Sequence, residues 1–329
     1  MSAPLVKASL IGAPTDVGAS DRGSSMGPEA LRVAGIHAAL QARGLDVRDC
    51  GNVSGPANRG LPAVDGYRNL EQVASWSREV YGAVRRELSD GRLPILLGGD
   101  HSLSIGSIAA VARHCREMRR PLRVVWLDAH ADFNTRELSP SGALHGMPLA
   151  CLCGFGPREL AMDEAMPPIR PQWVRQIGIR SVDSGERRFV HDQELAVFDM
   201  RYIDEMGVRK AMHLALEGLH PDTHLHVSFD VDFLDPEIAP GVGTTVAGGM
   251  SYREAQLCME MIADTARIGS LDIVELNPAL DVRNKTAVLA VDLVESLFGK
   301  STLMCRPTCA FGEARPTHSP AAARALRLS

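Results

Sequence analysis

The chain of 329 residues has no apolar run approaching the ~18 residues needed to cross a bilayer. Its start, Met1-Ser-Ala-Pro-Leu-Val-Lys-Ala-Ser-Leu-Ile-Gly, is too short and too broken for a secretory signal. Cysteine is sparse and odd in number, seven in all. That argues against a disulfide framework and makes the reducing cytoplasm the expected compartment. Cys151-Leu-Cys153 and Cys305…Cys309 lack a second paired motif, so they do not read as structural zinc. Positive charge is not in excess either. A net charge of −5 and a pI near 6.1 leave no basic footprint for nucleic acid and point to a small-molecule partner. Two catalytic signatures are also missing. Gly241-Val-Gly243-Thr-Thr-Val-Ala-Gly248-Gly249 lacks the Gly-Lys-[Ser/Thr] of a phosphate loop and the third glycine of a dinucleotide fingerprint.

What is present reads as a soluble α/β enzyme, with 45% apolar and 23% charged residues. Strand-like and helix-like segments alternate, the pattern of a mostly parallel sheet covered by helices. Expected strands are Val6–Ile11, Leu93–Leu97, Leu122–Leu127, Val174–Ile179, Leu195–Phe198, Leu225–Phe229 and Leu271–Leu276. Helices are expected from Pro28-Glu29 to Gly44, from an Asn69 cap to Leu88, after Ser102, over Tyr252–Arg267, and over Asn284–Phe298 before Gly299. No repeat or linker divides the chain. Residues 1–304 are expected to form one catalytic domain, and the Pro-, Ala- and Arg-rich tail 305–329 to be disordered. The aperiodic interval from Ala129 to Pro148 is long for a compact domain, which marks a functional loop.

Three polar clusters each follow an apolar strand: Gly98-Gly99-Asp100-His101, Asp128-Ala-His130-Ala-Asp132, and Asp230-Val-Asp232. In parallel α/β sheets ligands bind beyond the carboxyl ends of the strands, so three such clusters predict one site. Residues two apart in extended chain share a side, so Asp128, His130 and Asp132 can share a face where the chain stays extended, and so can Asp230 and Asp232. Any single acid here could simply cap a turn, and any single histidine could pack quietly. Four carboxylates and two imidazoles converging would be prohibitive to bury without cations. Bridging carboxylates let six residues serve two ions, and the oxygen-rich donor set suits Mn²⁺ better than zinc. Two such ions can share a water and lower its pKa, the chemistry of metal-assisted hydrolysis.

At these residues the sequence resembles the arginase family, within the wider ureohydrolases. The likeness runs from about Val6 to Met304 and rests on the motifs above. It also rests on Phe133-Asn134-Thr135, Ser141-Gly142-Ala143-Leu144-His145-Gly146, Ser228-Phe229 and Glu275-Leu276-Asn277-Pro278. The resemblance implies a three-layer α/β/α sandwich with a central, largely parallel eight-stranded sheet, assembled into homotrimers or hexamers. It also implies two Mn²⁺ per subunit. His101 and Asp132 would complete one ion's site, His130 and Asp232 the other's, with Asp128 and Asp230 bridging. Asp132 would orient the attacking water, Glu275 would bind the guanidinium, and His145 would carry protons. Asn134, Ser139 and Ser141 would hold an α-carboxylate, Asp183 and Glu186 would face an α-ammonium, and Thr244 would lie near the guanidinium.

The implied reaction takes L-arginine to L-ornithine and urea. One departure bears on the substrate: Ala143 stands where the family usually has asparagine, a partner of the α-carboxylate. A substrate without that group, as in agmatinase or guanidinobutyrase, would not miss it. A non-catalytic metal-binding regulator on the same fold is a second alternative, set against the complete ligand set. Phe233 and Thr245 also depart from the wider family's glycine and proline, and both read as packing variants. The glycine-rich stretch after Asp232 is expected to shape the substrate loop.

Overall fold

A computed structural model describes residues 5–60, 62–163 and 167–301 of the chain. Its eight strands are β1 (Lys7–Gly12), β2 (Asp46–Asn52), β3 (Leu93–Leu97), β4 (Leu122–Leu127), β5 (Val174–Ile177), β6 (Ala196–Phe198), β7 (His224–Asp230) and β8 (Ile268–Val274). They form one sheet in the order β2-β1-β3-β8-β7-β4-β5-β6, and every neighbouring pair is parallel. Strands such as Leu-Pro-Ile-Leu-Leu in β3 are buried throughout. Helices cover both faces of a parallel sheet, so even the polar residues of its inner strands, such as His226, Ser228 and Asp272, are buried.

The helices are α1 (Gly27–Val33), α2 (Ile36–Ala42), α3 (Leu70–Ser89), α4 (Ser104–Glu117), α5 (Pro148–Leu152), α6 (Ser184–Asp192), α7 (Met200–Met206), α8 (Val208–Ala215), α9 (Tyr252–Ala263) and α10 (Lys285–Leu297). They build two core layers. Leu31, Leu40, Met212, Met259 and Leu293 pack with Leu10, Ile95, Val227 and Ile273 on one face of the sheet. Val80, Ile108, Val111 and Leu149 pack with Ile11, Leu96, Val124 and Trp126 on the other. Alternation along the strands sends adjacent residues to opposite layers, which gives the three-layer α/β/α sandwich.

Several boundaries differ from the sequence expectations for local reasons. The helix expected from Pro28 to Gly44 is two helices, because Gly35 takes φ +87° between them. Asn69 and Asn284 sit before α3 and α10 at φ +51° and +60° without capping them. Their side-chain amides instead donate to Val17 O and Ala30 O. β5 stops before Gly178, whose φ is +93°. β8 begins at Ile268 and ends before Glu275, whose φ of +63° leaves the extended region. α9 ends at Ala263, short of Arg267. β2 had no sequence signal because it is an edge strand with mostly exposed, polar residues. The tail 305–329 and the pair Cys305 and Cys309 lie outside the described residues.

Strand order brings the three clusters together. β3, β8, β7 and β4 are the four central neighbours, and Leu97, Ile273, Phe229 and Leu127 lie in one row across them. One step further toward the carboxyl ends come Gly98, Val274, Asp230 and Asp128. Every polar cluster therefore leaves the sheet at the same level and on the same edge.

Candidate metal centre

Each cluster is shaped by a turn that the sequence pattern did not foresee. After β3, Gly98-Gly99 lets the loop at Thr15 pass close by; a Cβ on Gly99 would lie 1.7 Å from Thr15 O. Asp100 then caps the 3₁₀ turn His101–Leu103 by accepting from Ser102 N, and also accepts from Gly18 N at 3.0 Å. Burial, with the nearby Glu275 carboxylate, pushes its pKa up to about 6. After β7, Asp230 and Asp232 are brought together by a 3₁₀ turn, Val231–Phe233, and not by extended chain. After β4, the extended geometry ends at Asp132, which takes φ +50°. Asp132 and Glu275 are thus both in the left-handed region that side chains other than glycine rarely occupy, a strain that concentrates at functional sites.

The six expected ligands converge. His101 is buried, with Nδ1 at 3.1 Å from Asp128 Oδ2, 3.1 Å from Asp132 Oδ2 and 3.0 Å from Asp230 Oδ2. His130 Nδ1 lies 2.9 Å from Asp232 Oδ2 and 3.6 Å from Asp128 Oδ1. Two groups have the close packing of ligand atoms a cation needs: His101, Asp128 and Asp230, and Asp128, His130 and Asp232. Asp128 belongs to both.

The charge balance of this cluster tests whether cations fit it. All four aspartates are nearly or fully buried. Two imidazoles, even both protonated, leave negative charge in excess. Burial and neighbouring carboxylates raise Asp230 well above the usual range, raise Asp232, and push Asp132 up to about 6. Asp128 is held low, because His101 and His130 outweigh its burial. Burial opposes charge on His130, yet Asp232 and Asp128 lift its pKa to about 12. Such a cluster is under-compensated by protein alone and fits divalent cations held by hard oxygen and imidazole donors.

Trp126 and Ser228 support the ligands. Trp126 stacks on the His101 ring at 4.0 Å and donates from Nε1 to Asp128 Oδ2 at 2.8 Å. Ser228 Oγ meets His101 Nε2 at 2.8 Å. Each lies two residues before an expected ligand, on the same side of its strand, so the alternation that grouped the aspartates could have found them. Arg180 gave no such signal. Its guanidinium donates to the carbonyls of Asp232 and Val246 at 2.7 and 2.8 Å, tying down the chain that follows β7.

Above the cluster lies a cavity of about 240 Å³. His130, Asp132, Asp230 and Asp232 form its floor, while His101 and Asp128 are sealed beneath. His145, Glu275, Asn134, Ser139, Ser141, Asp183, Glu186 and Thr244 all line it, together with Ala143, Gly146 and Ser181. Among the described residues no lysine or arginine does. Glu275 Oε1 accepts from His101 N at 2.8 Å and lies 3.0 Å from His145 Nδ1. Burial disfavours charge on that ring, but Glu275, with Asp100 and Asp132, lifts its pKa to about 9.

Several cavity residues are also parts of the framework. Asp183 and Glu186 form a capping box at the start of α6, and Glu186 Oε1 accepts from Phe133 N at 2.8 Å. Burial raises Glu186 to about 7. Asn134 donates to Asp183 Oδ2, and its own Oδ1 is buried without a partner among the described residues. Ser139 and Ser141 accept from Gly142 N and Ala143 N, and their hydroxyls stand 3.5 Å apart, so at least one hydroxyl proton is left to donate into the cavity. Phe233 is a packing residue, fully buried beside Phe229. Thr245 is exposed, so the packing expectation was wrong there.

An eight-stranded parallel α/β sandwich with a buried histidine–aspartate cluster under a polar cavity defines the ureohydrolase class of hydrolase. The family model for the arginase family matches residues 6–299. The arginase of Bacillus caldovelox is 44% identical over 299 residues, covering 90% of this chain and 99% of its own. That of Brucella melitensis is 45% identical over 304 residues, covering 92% and 99%. Among solved structures, the native B. caldovelox arginase superposes with a TM-score of 0.85 at 42% identity over 91% of this chain and all of that one. The Entamoeba histolytica arginase, solved with L-ornithine, gives 0.83 at 31% identity over 90% and 99%. The chain belongs to the arginase family and is an enzyme of that family.

Proposed function

We propose that this chain hydrolyses the guanidinium group of L-arginine to give L-ornithine and urea, using two Mn²⁺ per subunit. The observation that carries the reading is His101 Nδ1, buried among three carboxylates and without a hydrogen-bond partner among the described residues. His101 and Asp132 would complete one ion's ligands, His130 and Asp232 the other's, and Asp128 and Asp230 would serve both. When bound, such ions polarise a shared water and lower its pKa toward neutrality.

The chain's own residues then do the rest. Glu275 receives the guanidinium: Oε1 is already engaged by His101 N and His145, so Oε2 is free to accept N–H donors from the planar cation. Asp132 takes up the proton that water gives up as its oxygen adds to the guanidinium carbon. His145 donates a proton to the departing side-chain nitrogen as the C–N bond breaks, and the remaining hydroxyl proton passes to the freed amine, leaving urea and the ornithine side-chain ammonium. Asn134, Ser139 and Ser141 would meet the α-carboxylate through neutral donors. Asp183 and Glu186 would meet the α-ammonium, and Thr244 would lie beside the guanidinium. We further infer one catalytic domain over residues 1–304, acting in the cytoplasm as a homotrimer or hexamer. Free cysteines at 50, 115, 151, 153 and 258 suit a reducing compartment.

Ala143 favours a second reading. It lines the cavity with only a methyl group, and among the described residues no lysine or arginine lines it to hold a carboxylate. A guanidino substrate lacking the α-carboxylate, such as agmatine, would suit that mouth. The two readings separate on urea release by Mn²⁺-loaded protein from arginine, agmatine and 4-guanidinobutyrate, with and without chelator. Chelator-sensitive turnover with arginine preferred supports the first reading. Preference for agmatine or 4-guanidinobutyrate supports the second, and no urea from any of them, with metal bound, defeats both.

A further inference from the structure

We infer that Asp272 is a positioning residue for His101, acting through Ser104 and Ser228; the inference rests on the manganese reading. Asp272 lies in β8, three residues before Glu275, and is fully buried. Among the described residues its side-chain partners are two hydroxyls and one imidazole nitrogen. Ser107 Oγ donates to Oδ1 at 2.6 Å, Ser104 Oγ donates to Oδ2 at 3.0 Å, and His226 Nε2 stands 3.4 Å from Oδ2. Ser104 and Ser107 are one turn apart on α4 and reach the same carboxylate, but only Ser104 leads onward. Its Oγ is 3.5 Å from Ser228 Oγ, at the outer limit of a hydrogen bond, and Ser228 Oγ is 2.8 Å from His101 Nε2.

The direction of this chain of hydrogen bonds follows from its end. A carboxylate only accepts, so Ser104 gives its proton to Asp272. In the Ser104–Ser228 contact Ser228 is then the donor, and its oxygen is left to accept from His101 Nε2–H. The relay therefore runs His101 Nε2–H to Ser228, Ser228 to Ser104, and Ser104 to Asp272. It fixes the proton of a neutral His101 on Nε2, which aims the Nδ1 lone pair at Asp128, Asp132 and Asp230. That is the tautomer a cation ligand needs, and a partner that sets the tautomer of a liganding histidine also sets its affinity. An asparagine at 272 could donate to Ser104 and reverse the relay.

The two serines of α4 supply the test. Ser104→Ala and Ser107→Ala each remove one hydroxyl from Asp272, yet only the first interrupts the path to His101. Mn²⁺ is titrated calorimetrically into metal-free, full-length wild type, both variants and Asp272→Asn, and thermal unfolding is followed in chelator. The expected result is Mn²⁺ affinity weakened by about ten- to 100-fold in Ser104→Ala and Asp272→Asn, the usual range for a partner of a liganding histidine. Ser107→Ala keeps wild-type affinity, while both serine variants lower the metal-free Tm alike. Equal Mn²⁺ affinity in the two serine variants, with tight binding by wild type, overturns the relay and leaves the metal reading standing. Wild type that binds no Mn²⁺ overturns both. Should Asp272→Asn fail to fold, the serine pair decides alone.

Discussion

Asp132→Asn is predicted to stabilise the metal-free protein at neutral pH while abolishing activity. Asp132 is 6% exposed, and burial together with Asp128 holds its pKa near 6, against 3.8 for a free aspartate. Below about pH 4 both the folded and unfolded chains carry its proton, and the group has no effect on stability. Between about pH 4 and 6 the unfolded chain ionises first, so stability falls as pH rises. Above pH 6 the whole penalty is present. At 1.36 kcal/mol per pKa unit, a shift of about two units corresponds to about 3 kcal/mol. Asparagine removes that penalty without new strain, because it tolerates the left-handed backbone at φ +50°. The gain corresponds to roughly 5 °C or more in Tm. The assay is thermal unfolding of both proteins in chelator at pH 4 and pH 8. The variant should be more stable at pH 8 and not at pH 4. With Mn²⁺ at 100 times Kd the wild type gains about 2.7 kcal/mol, and the difference should shrink or invert. A variant less stable than wild type at pH 8 in chelator would refute the view that this cluster is under-compensated without cations.

Three further outcomes are expected. Glu275→Gln should lower kcat/KM for arginine by roughly 100-fold or more, the consequence of unpairing a buried cation; Mn²⁺ content should stay at the wild-type level, and lost metal would reassign Glu275 to the ligand set. Gly99→Ala should destabilise by about 3 kcal/mol or more, because its Cβ would overlap Thr15 O at 1.7 Å; denaturant unfolding with an unchanged midpoint would contradict that contact. Ala143→Asn should lower the KM for arginine by roughly tenfold or more, the gain of a hydrogen bond to a charged group. It should leave the KM for agmatine unchanged, and equal effects on both would detach Ala143 from the carboxylate.

Much of the fold was legible because its buried strands are short runs dense in apolar and β-branched residues, bounded by turn signals. β1, β3, β4, β5 and β7 all stand within a few residues of where such runs predicted them. β2 was missed for the converse reason, as an exposed edge with residues Asp46, Arg48 and Asp49 offers no period. The short helices α6 to α8, of seven to nine residues, are too brief to show a clear helical period, and α6 takes its start from the capping box of Asp183 and Glu186. Those two acids show how one residue type hides two jobs. They were expected at a substrate ammonium, and they also hold a helix start and the Phe133 amide.

The sequence alone determined which groups the site would contain. Apolar runs that end in Asp and His are local facts, and so is the prohibitive cost of burying that many carboxylates without cations. Tertiary structure decided their arrangement. Strands β3, β8, β7 and β4 are neighbours in space but not in the chain, and their register sets all the clusters at one level. The contact between His101 N and Glu275 Oε1 spans 174 positions, and Asp132 and Glu275 turn into the site on left-handed backbone. Neither the strand order nor that strain is encoded within a short window of residues. Both are held by hydrogen bonds and packing between segments far apart in sequence, which become definite only when the sheet assembles.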